Sequence, residues 1–282
     1  MSPPLQLGLI GHPVAHSLSP VLHSAAGQSA DLDVHYRLFD VAPEALPTWL
    51  AQLDRRQLVG FNATIPHKEA MARHVDRLTP LAARLGAVNT ITVDADGTLE
   101  GHNTDVEGFQ RDLVAHLGGI PRHRAVVLGA GGSARAVAVA LEALGFNQLI
   151  FLNRSLARAE HLVSDLALSM GECGTLNDLS EALVGASVLV STLPHGVWAT
   201  ASGASLDQAL AHTRPGAVIC DIAYGGGESL LLSGARRHGR VAMDGLGMLV
   251  HQGVLAFMRW TGQQPDLPAV MSAVRAAARA RS

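Results

Sequence analysis

The chain has 282 residues, 48% of them hydrophobic and 16% charged, with a formal net charge of −3. That length and apolar content suit two moderate cores better than one, and scattered basic residues exclude the footprint of a nucleic-acid binder and leave a small molecule as the expected partner. No apolar run approaches the roughly 18 residues that span a bilayer, MSPPLQLGLIG lacks the features of a signal peptide, and two cysteines, Cys173 and Cys220, without metal spacing predict a reduced, cytoplasmic protein with no metal site.

Taken in order, LQLGLIG predicts a strand and leads into GHPVAHSLSP at 11–20, which carries two serines and two histidines but no carboxylate. A helical PVLHSAAGQ follows; Ser19, standing before Pro20, is a candidate cap for it. VHYRLFDV and LVGFNATI predict further strands, PEALPTWLAQL and HKEAMARHVDRLTPLAARLG helical stretches. Between residues 87 and 100 two strands are joined by a tight turn at Asp96-Gly97, and this hairpin closes the first half. The rhythm is that of βα units around a mainly parallel sheet.

Two groups in this half have reactive potential. In FNATIPHKE, Lys68 opens a predicted helix, where the positive end of the dipole disfavours its charged form and suits it to act as a general base; an ordinary solvated lysine is the alternative. In GHNTD, Asp105 stands at the predicted domain junction, where it either faces the same cleft as Lys68 or caps the helix VEGFQRDLVAHLGG, and the two roles are compatible.

A second α/β series runs through RAVVL, LIFLNRS, SVLVSTLP, AVICDIAY and GRVAMDG. Its first strand ends in Gly129-Ala130-Gly131-Gly132-Ser133-Ala134 and opens an alanine-rich helix, the context in which GxGxxG/A has physical meaning. Gly129 takes the tight turn, Gly131 admits a pyrophosphate, and Ala134 lets helix and strand approach. The next strand ends in Asn153-Arg154-Ser155, with Arg158 one turn later, where an NAD site places an acid. Two guanidiniums suit a 2′-phosphate, so NADP is expected rather than NAD.

After Gly245, MLVHQGVLAFMRWTG predicts a helix with Leu249, Val250, Val254 and Phe257 on one stripe, expected to return to the first domain; AVRAAARARS predicts a fraying helix. The expected domains are residues 1–105 plus 246–282, for substrate and catalysis, and 106–245, a Rossmann-like nucleotide domain.

Seven blocks in order, GHPVAHSLSPVLH, FNATIPHKE, GAVNTI, GHNTDVEG, GAGGSARA, NRSLARA and DGLGMLVHQ, make up a sequence that resembles the shikimate dehydrogenase family. The resemblance implies an oxidoreductase that reversibly reduces 3-dehydroshikimate to shikimate with NADP, in aromatic amino-acid biosynthesis. By motif it implies that Lys68 and Asp105 are catalytic and that Ser17 and Ser19 hold the substrate carboxylate. Thr64, Asn89, Tyr224 and Gln252 then line the ring hydroxyls. Gly129, Ala130, Gly131, Gly132 and Ser133, with Asn153, Arg154, Ser155 and Arg158, match the cofactor site, and Ile222 and Gly245 match positions beside the nicotinamide. His12, His16, His23 and His67 are expected to pack or face solvent.

Two runs depart from the family pattern: Ser191-Thr192-Leu193-Pro194 stands where Asn-Ala-Thr-Pro is usual, and Tyr224-Gly225-Gly226-Gly227-Glu228-Ser229 lacks the usual proline and threonine. The competing readings are a quinate or aminoshikimate dehydrogenase of the same family and an NADP-binding redox sensor without turnover, which the retention of both Lys68 and Asp105 opposes. Monomer and homodimer both remain open.

Overall fold

A computed structural model describes residues 3–194, 203–225 and 229–281. The chain divides into two compact units, Met1–Gly108 with Leu249–Arg281, and Phe109–Met248.

The first unit is built on strands β1 (Leu5–Gly11), β2 (Val34–Asp40), β3 (Gly60–Ala63), β4 (Arg77–Leu78), β5 (Thr90–Val93) and β6 (Leu99–His102), in the order β2-β1-β3-β5-β6-β4. β2, β1 and β3 are parallel, as βα connections require, whereas β5 runs antiparallel to both β3 and β6. The β5–β6 turn closes at Asp94–Thr98, where the Thr98 amide donates to Asp96 Oδ1 at 2.9 Å. One face of the sheet packs Phe61, Ile91, Met71, Leu99 and Leu46, where each large side chain removed from water contributes about 1.5–3 kcal/mol. Leu7, Ala256 and Trp260 pack together in a second cluster, against Val34 and Tyr36.

The stretch HKEAMARHVDRLTPLAARLG is not one helix but α3 (Lys68–His74), strand β4 and α4 (Pro80–Leu85). Val75 turns extended, the Asp76 amide donates to the Leu99 carbonyl, and Arg77–Leu78 pair with β6. Pro80 holds Thr79 extended, which prevents a helix from running through. The remaining helices here are α1 (Ser19–Ser29), α2 (Leu46–Gln52, entered through a 3₁₀ turn at Pro43–Ala45) and, from the C-terminal part, α12 (Leu267–Ala280).

The second unit carries β7 (Arg124–Leu128), β8 (Gln148–Leu152), β9 (Gly171–Gly174), β10 (Val188–Ser191), β11 (Val218–Asp221) and β12 (Val241–Asp244), all parallel, in the order β12-β11-β10-β7-β8-β9. Counted from its first strand, that is the 3-2-1-4-5-6 Rossmann order, with the reversal between β7 and β10. Its helices are α5 (Asp105–Leu117) from Phe109 onward, α6 (Gly132–Ala143), α7 (Leu156–Asp165), α8 (Leu179–Ala182), α9 (Gly203–Ala211), α10 (Leu230–Arg237) and only the first turn of α11 (Gly245–Thr261), whose remainder from Leu249 belongs to the first unit. The boundaries between the units fall inside α5 and α11. Ala134, Ala136, Ala138 and Ala140 of α6 are buried, their small size permitting the close approach of helix to sheet. Val126, Leu128, Leu152, Leu189 and Ile219 fill the core. The strand β9 escaped the sequence pattern because Gly-Glu-Cys-Gly has neither alternation nor an apolar run.

Candidate functional site

In the first unit, β1 and β3 are parallel neighbours, so the loops that leave them emerge at the same edge. The Thr64 amide donates to the Ile10 carbonyl at 2.9 Å and the His12 amide to the Ile65 carbonyl at 3.0 Å, tying GHPVAHSLSP to FNATIPHKE. His67, 1% exposed, donates from its ring to the Val41 carbonyl at 2.7 Å, and its amide donates to the Thr64 carbonyl at 2.7 Å. This anchored turn delivers Lys68 as the first residue of α3, and the Lys68 carbonyl is held in turn by the Val88 amide at 2.8 Å.

Lys68 Nζ lies 2.8 Å from Asp105 Oδ2, with 13% and 4% of the two side chains exposed. Asp105 is the first residue of α5 and does not act as its cap; the acceptor at that end is Asn103 Oδ1, which takes the Asp105 amide at 3.0 Å while Asn103 Nδ2 donates to the Ala87 carbonyl. The aspartate is thereby free to use its side chain elsewhere. Its Oδ1 accepts from Asn89 Nδ2 at 2.8 Å, so its two oxygens are divided between a lysine and an amide.

The orientation of Asn89 is over-determined. Its Oδ1 accepts from the Thr104 amide at 2.8 Å and from Thr90 Oγ1 at 2.9 Å, which turns Nδ2 toward Asp105, Thr104 Oγ1 at 2.9 Å and Gln252 Oε1 at 3.1 Å. Gln252, on α11, donates to the Leu249 carbonyl at 2.8 Å, which fixes which of its ends faces Asn89. Behind Asn89, Asn62 donates to the Asn89 carbonyl and to Thr90 Oγ1, and receives the Tyr36 hydroxyl at 2.8 Å. Thus Lys68, Asp105, Asn89 and Gln252 converge, and Thr104, Asn103, Thr90 and Asn62, which sequence reasoning missed, hold them. The run His-Asn-Thr-Asp was the available signal, but only the fold shows which of its members support the others.

Ser17 and Ser19 form a pair of their own. Ser17 Oγ accepts the Ser19 amide and donates to Ser19 Oγ, both at 3.1 Å, and both residues are buried. Ser19 is the first residue of α1, with no side-chain cap, so the capping expectation is corrected: Ser17 receives the amide instead. Arg281 donates to the carbonyls of His16 and Ser17 at 2.9 and 3.2 Å, fixing the loop from behind. The Thr64 side chain makes no hydrogen bond among the described residues and stays half-buried. Of the histidines, His12 pairs with Asp40 at 2.6 Å on the surface, and His23 stacks on Tyr36 with ring centroids 4.4 Å apart. Burial drives the His23 imidazole down to about 3, partly offset by a hydrogen bond with Asn62.

In the second unit the glycine-rich loop leaves β7 at the topological switch, where dinucleotides bind at the carboxyl ends of parallel strands. Gly129 has φ +108°, and a Cβ there would lie 2.4 Å from Thr192 Oγ1, so only glycine fits. Gly131 caps α6, Gly132 begins it, and no atom lies within 4 Å of where a Gly131 Cβ would sit, leaving the approach to the helix amides open. Ala130 and Ser133 flank that opening. At the end of β8, Asn153 Nδ2 donates to the Ser155 carbonyl at 2.9 Å. Arg154 and Arg158 are exposed, and among the described residues neither guanidinium has a hydrogen-bond or ion-pair partner. An open glycine cradle and two uncommitted cations fit a dinucleotide with an additional phosphate.

Ile222 and Gly245 are brought into contact: a Cβ on Gly245 would stand 2.1 Å from the Ile222 carbonyl oxygen. Tyr224 is half-buried just after β11. Gly226, Gly227 and Glu228 of the glycine-rich departure lie outside the described residues.

Comparison with known proteins accords with both halves. Residues 9–91 match the family model of the shikimate dehydrogenase substrate binding domain, 113–224 that of shikimate / quinate 5-dehydrogenase, and 245–275 that of the shikimate 5′-dehydrogenase C-terminal domain. The shikimate dehydrogenase (NADP(+)) of Moorella thermoacetica is 40% identical over 277 residues, 95% of this chain and 91% of that one. The solved structure of shikimate 5-dehydrogenase from Thermus thermophilus in complex with NADP(H) and shikimate is similar at TM-score 0.80 and 38% identity, covering 97% of this chain and 99% of the other. Quinate dehydrogenase from Corynebacterium glutamicum in complex with NAD is similar at TM-score 0.85 and 28% identity, covering 97% and 99%.

Proposed function

We infer that this chain, which belongs to the shikimate dehydrogenase family, is an NADP-dependent shikimate dehydrogenase that reversibly reduces 3-dehydroshikimate to shikimate, a step of aromatic amino-acid biosynthesis. The observation that carries the reading is the shielded Lys68–Asp105 pair, 2.8 Å apart. NADPH, when bound, supplies the hydride for the ring carbonyl, and NADP+ accepts it in the reverse direction. Lys68 Nζ exchanges the proton of the reacting hydroxyl, and Asp105 Oδ2 fixes Nζ and orients that hydroxyl. Asn89 holds the carboxylate of Asp105 through Oδ1, so the proton-transfer groups meet the substrate already aligned.

Ser17 and Ser19 take the substrate carboxylate: their hydroxyl hydrogens rotate about the C–O bond and can leave one another for an anion. Thr64, whose side chain is uncommitted, Asn89 and Gln252 take ring hydroxyls; Tyr224 is assigned on the family motif. A site of neutral donors rejects analogues lacking a matching group, because each donor left unmet in a buried site costs free energy. Gly129 to Ser133 hold the pyrophosphate at the start of α6, Asn153, Arg154, Ser155 and Arg158 hold the 2′-phosphate, and Ile222 and Gly245 flank the nicotinamide. The substrate-bearing part comprises residues 1–105 and 246–282, and the nucleotide-bearing part 106–245.

A quinate-oxidising reading has a structural neighbour in its favour, but the two uncommitted guanidiniums after β8 select NADP. Among the described residues no helix is long and apolar enough to cross a membrane; we place the enzyme in the cytoplasm, as a monomer or homodimer acting on a small molecule without nucleic acid or membrane. The deciding assay measures reduction of NADP+ and NAD+ with shikimate and with quinate in parallel. Shikimate with NADP+ gives the highest kcat/KM; a higher value for quinate with NAD+ overturns the assignment.

A further inference from the structure

We propose that Thr192 is a positioning residue for the dinucleotide loop: its side-chain hydroxyl fixes where the first turn of that loop begins, and so sets cofactor affinity. The proposal rests on the cofactor reading above and adds a residue from a run that departs from the family pattern.

Thr192 follows β10, which pairs in parallel with β7 so that Ser191 stands beside Leu128. Its amide donates to the Leu128 carbonyl at 2.9 Å and its Oγ1 donates to the same oxygen at 2.8 Å. One carbonyl, the last of β7, thus takes two hydrogen bonds from one residue. The next amide, that of Gly129, donates to the Leu152 carbonyl at the end of β8 at 2.9 Å. The peptide that starts the loop is therefore held from both flanking strands, by Thr192 on one side and Leu152 on the other.

The same hydroxyl blocks the space in front of Gly129. An added Cβ would stand 2.4 Å from Thr192 Oγ1, with the next neighbour, Leu193 Cδ2, at 3.5 Å. Glycine at φ +108° has a broad range of neighbouring conformations; a hydroxyl bonded to Leu128 and standing where a Gly129 Cβ would lie narrows that range. The amides at the start of α6 bind an anion well only if they are already aimed, since ordering a loop on binding subtracts from affinity.

Removing the hydroxyl leaves the Leu128 carbonyl satisfied by the Thr192 amide, so no buried acceptor is orphaned. The effect then lies in loop placement rather than in the core. Thr192→Val retains the branched shape without the donor, and Thr192→Ser retains the donor.

The test is isothermal titration of the full chain with NADP+ and separately with NAD+, alongside the thermal midpoint of each variant. Thr192→Val is expected to raise both dissociation constants by the same factor, roughly tenfold, the equivalent of one hydrogen bond, because the pyrophosphate is common to both dinucleotides. Thr192→Ser stays within about twofold of the parent. Unchanged dinucleotide affinity in the valine variant, or equal weakening in valine and serine variants, overturns the proposal. Should the valine protein fail to fold, Thr192→Ala carries the same test. Arg154→Ala serves as the reference arm: if it changes NADP+ and NAD+ binding alike, the 2′-phosphate reading falls while the Thr192 result stands on its own.

Discussion

Lys68 Nζ and Asp105 Oδ2 make a 2.8 Å ion pair from which water is largely excluded, and the second oxygen of Asp105 is committed to Asn89. The pair draws on the starts of two helices, α3 and α5, so its geometry is set by the sheet that orients both rather than by a flexible loop. A proton-transfer group needs such fixation because catalysis falls steeply with misplacement.

Replacing Lys68 by alanine removes the proton-transfer group but none of the donors assigned to the substrate carboxylate and ring. The expected outcome is a kcat lowered by about a hundredfold to ten-thousandfold, with the shikimate dissociation constant changed by only a few-fold. Steady-state rates and equilibrium binding on the same preparation check it, and an unaltered kcat would take Lys68 out of the mechanism.

Arg154→Ala deletes a cation that has no partner among the described residues, so the change acts on ligand rather than fold. A charge-assisted hydrogen bond to phosphate predicts a KM for NADPH raised roughly ten- to a hundredfold, with that for NADH nearly constant. Equal shifts for the two cofactors would discredit the assignment.

Gly245→Ala forces a methyl group to within 2.1 Å of the Ile222 carbonyl oxygen and 2.6 Å of its carbon, atoms of the backbone that cannot swing aside. Overpacking of this kind costs about 1–3 kcal/mol, read as a lowered unfolding midpoint, with NADP+ binding weakened as well. Gly119→Ala, where no atom lies within 4 Å of the added carbon, is the control and leaves both within error. A fully stable Gly245→Ala protein contradicts the close approach.

The buried imidazoles make folding stability depend on pH. Burial lowers His23 from 6.5 to about 3; His102 falls to about 4, through burial first and the nearby Arg259 second. In acid the unfolded chain takes up protons that the folded chain refuses, so stability is full above pH 6.5 and declines as pH falls toward 4. The slope is at most about 1.4 kcal/mol per pH unit for each histidine. Urea titrations across that range, on the parent and on His23→Gln, test it: the variant has the shallower slope, and identical slopes remove His23 as a cause.

The sequence made the buried parallel strands easy to read, because Ala125–Leu128 and Leu149–Leu152 are buried along their length and therefore apolar without interruption. Two of the short edge strands, β4 and β9, were hidden for the opposite reason. Arg77–Leu78 and Gly171–Gly174 have little buried surface, and only a neighbouring strand makes them extended. At the site, Lys68 and Asp105 stood out as residue types at the starts of elements. The roles of Asn103, Thr104 and Asn62 did not, since a hydrogen-bond partner is chosen by tertiary geometry rather than by local pattern. Ser19 and Asp105 illustrate the same limit: each occupies a plausible cap position, yet Ser17 and Asn103 take the amides.

The discontinuity of the first unit sets an order of events during synthesis. The Trp260 indole donates to the Ile91 carbonyl at 2.9 Å across 169 residues of chain, and Arg281 reaches back to His16. The ribosome therefore releases the early strands long before the helices that cover them exist, while Phe109–Met248 emerges as one uninterrupted stretch. The second unit can therefore fold to completion while the early strands of the first still lack the helices that cover them.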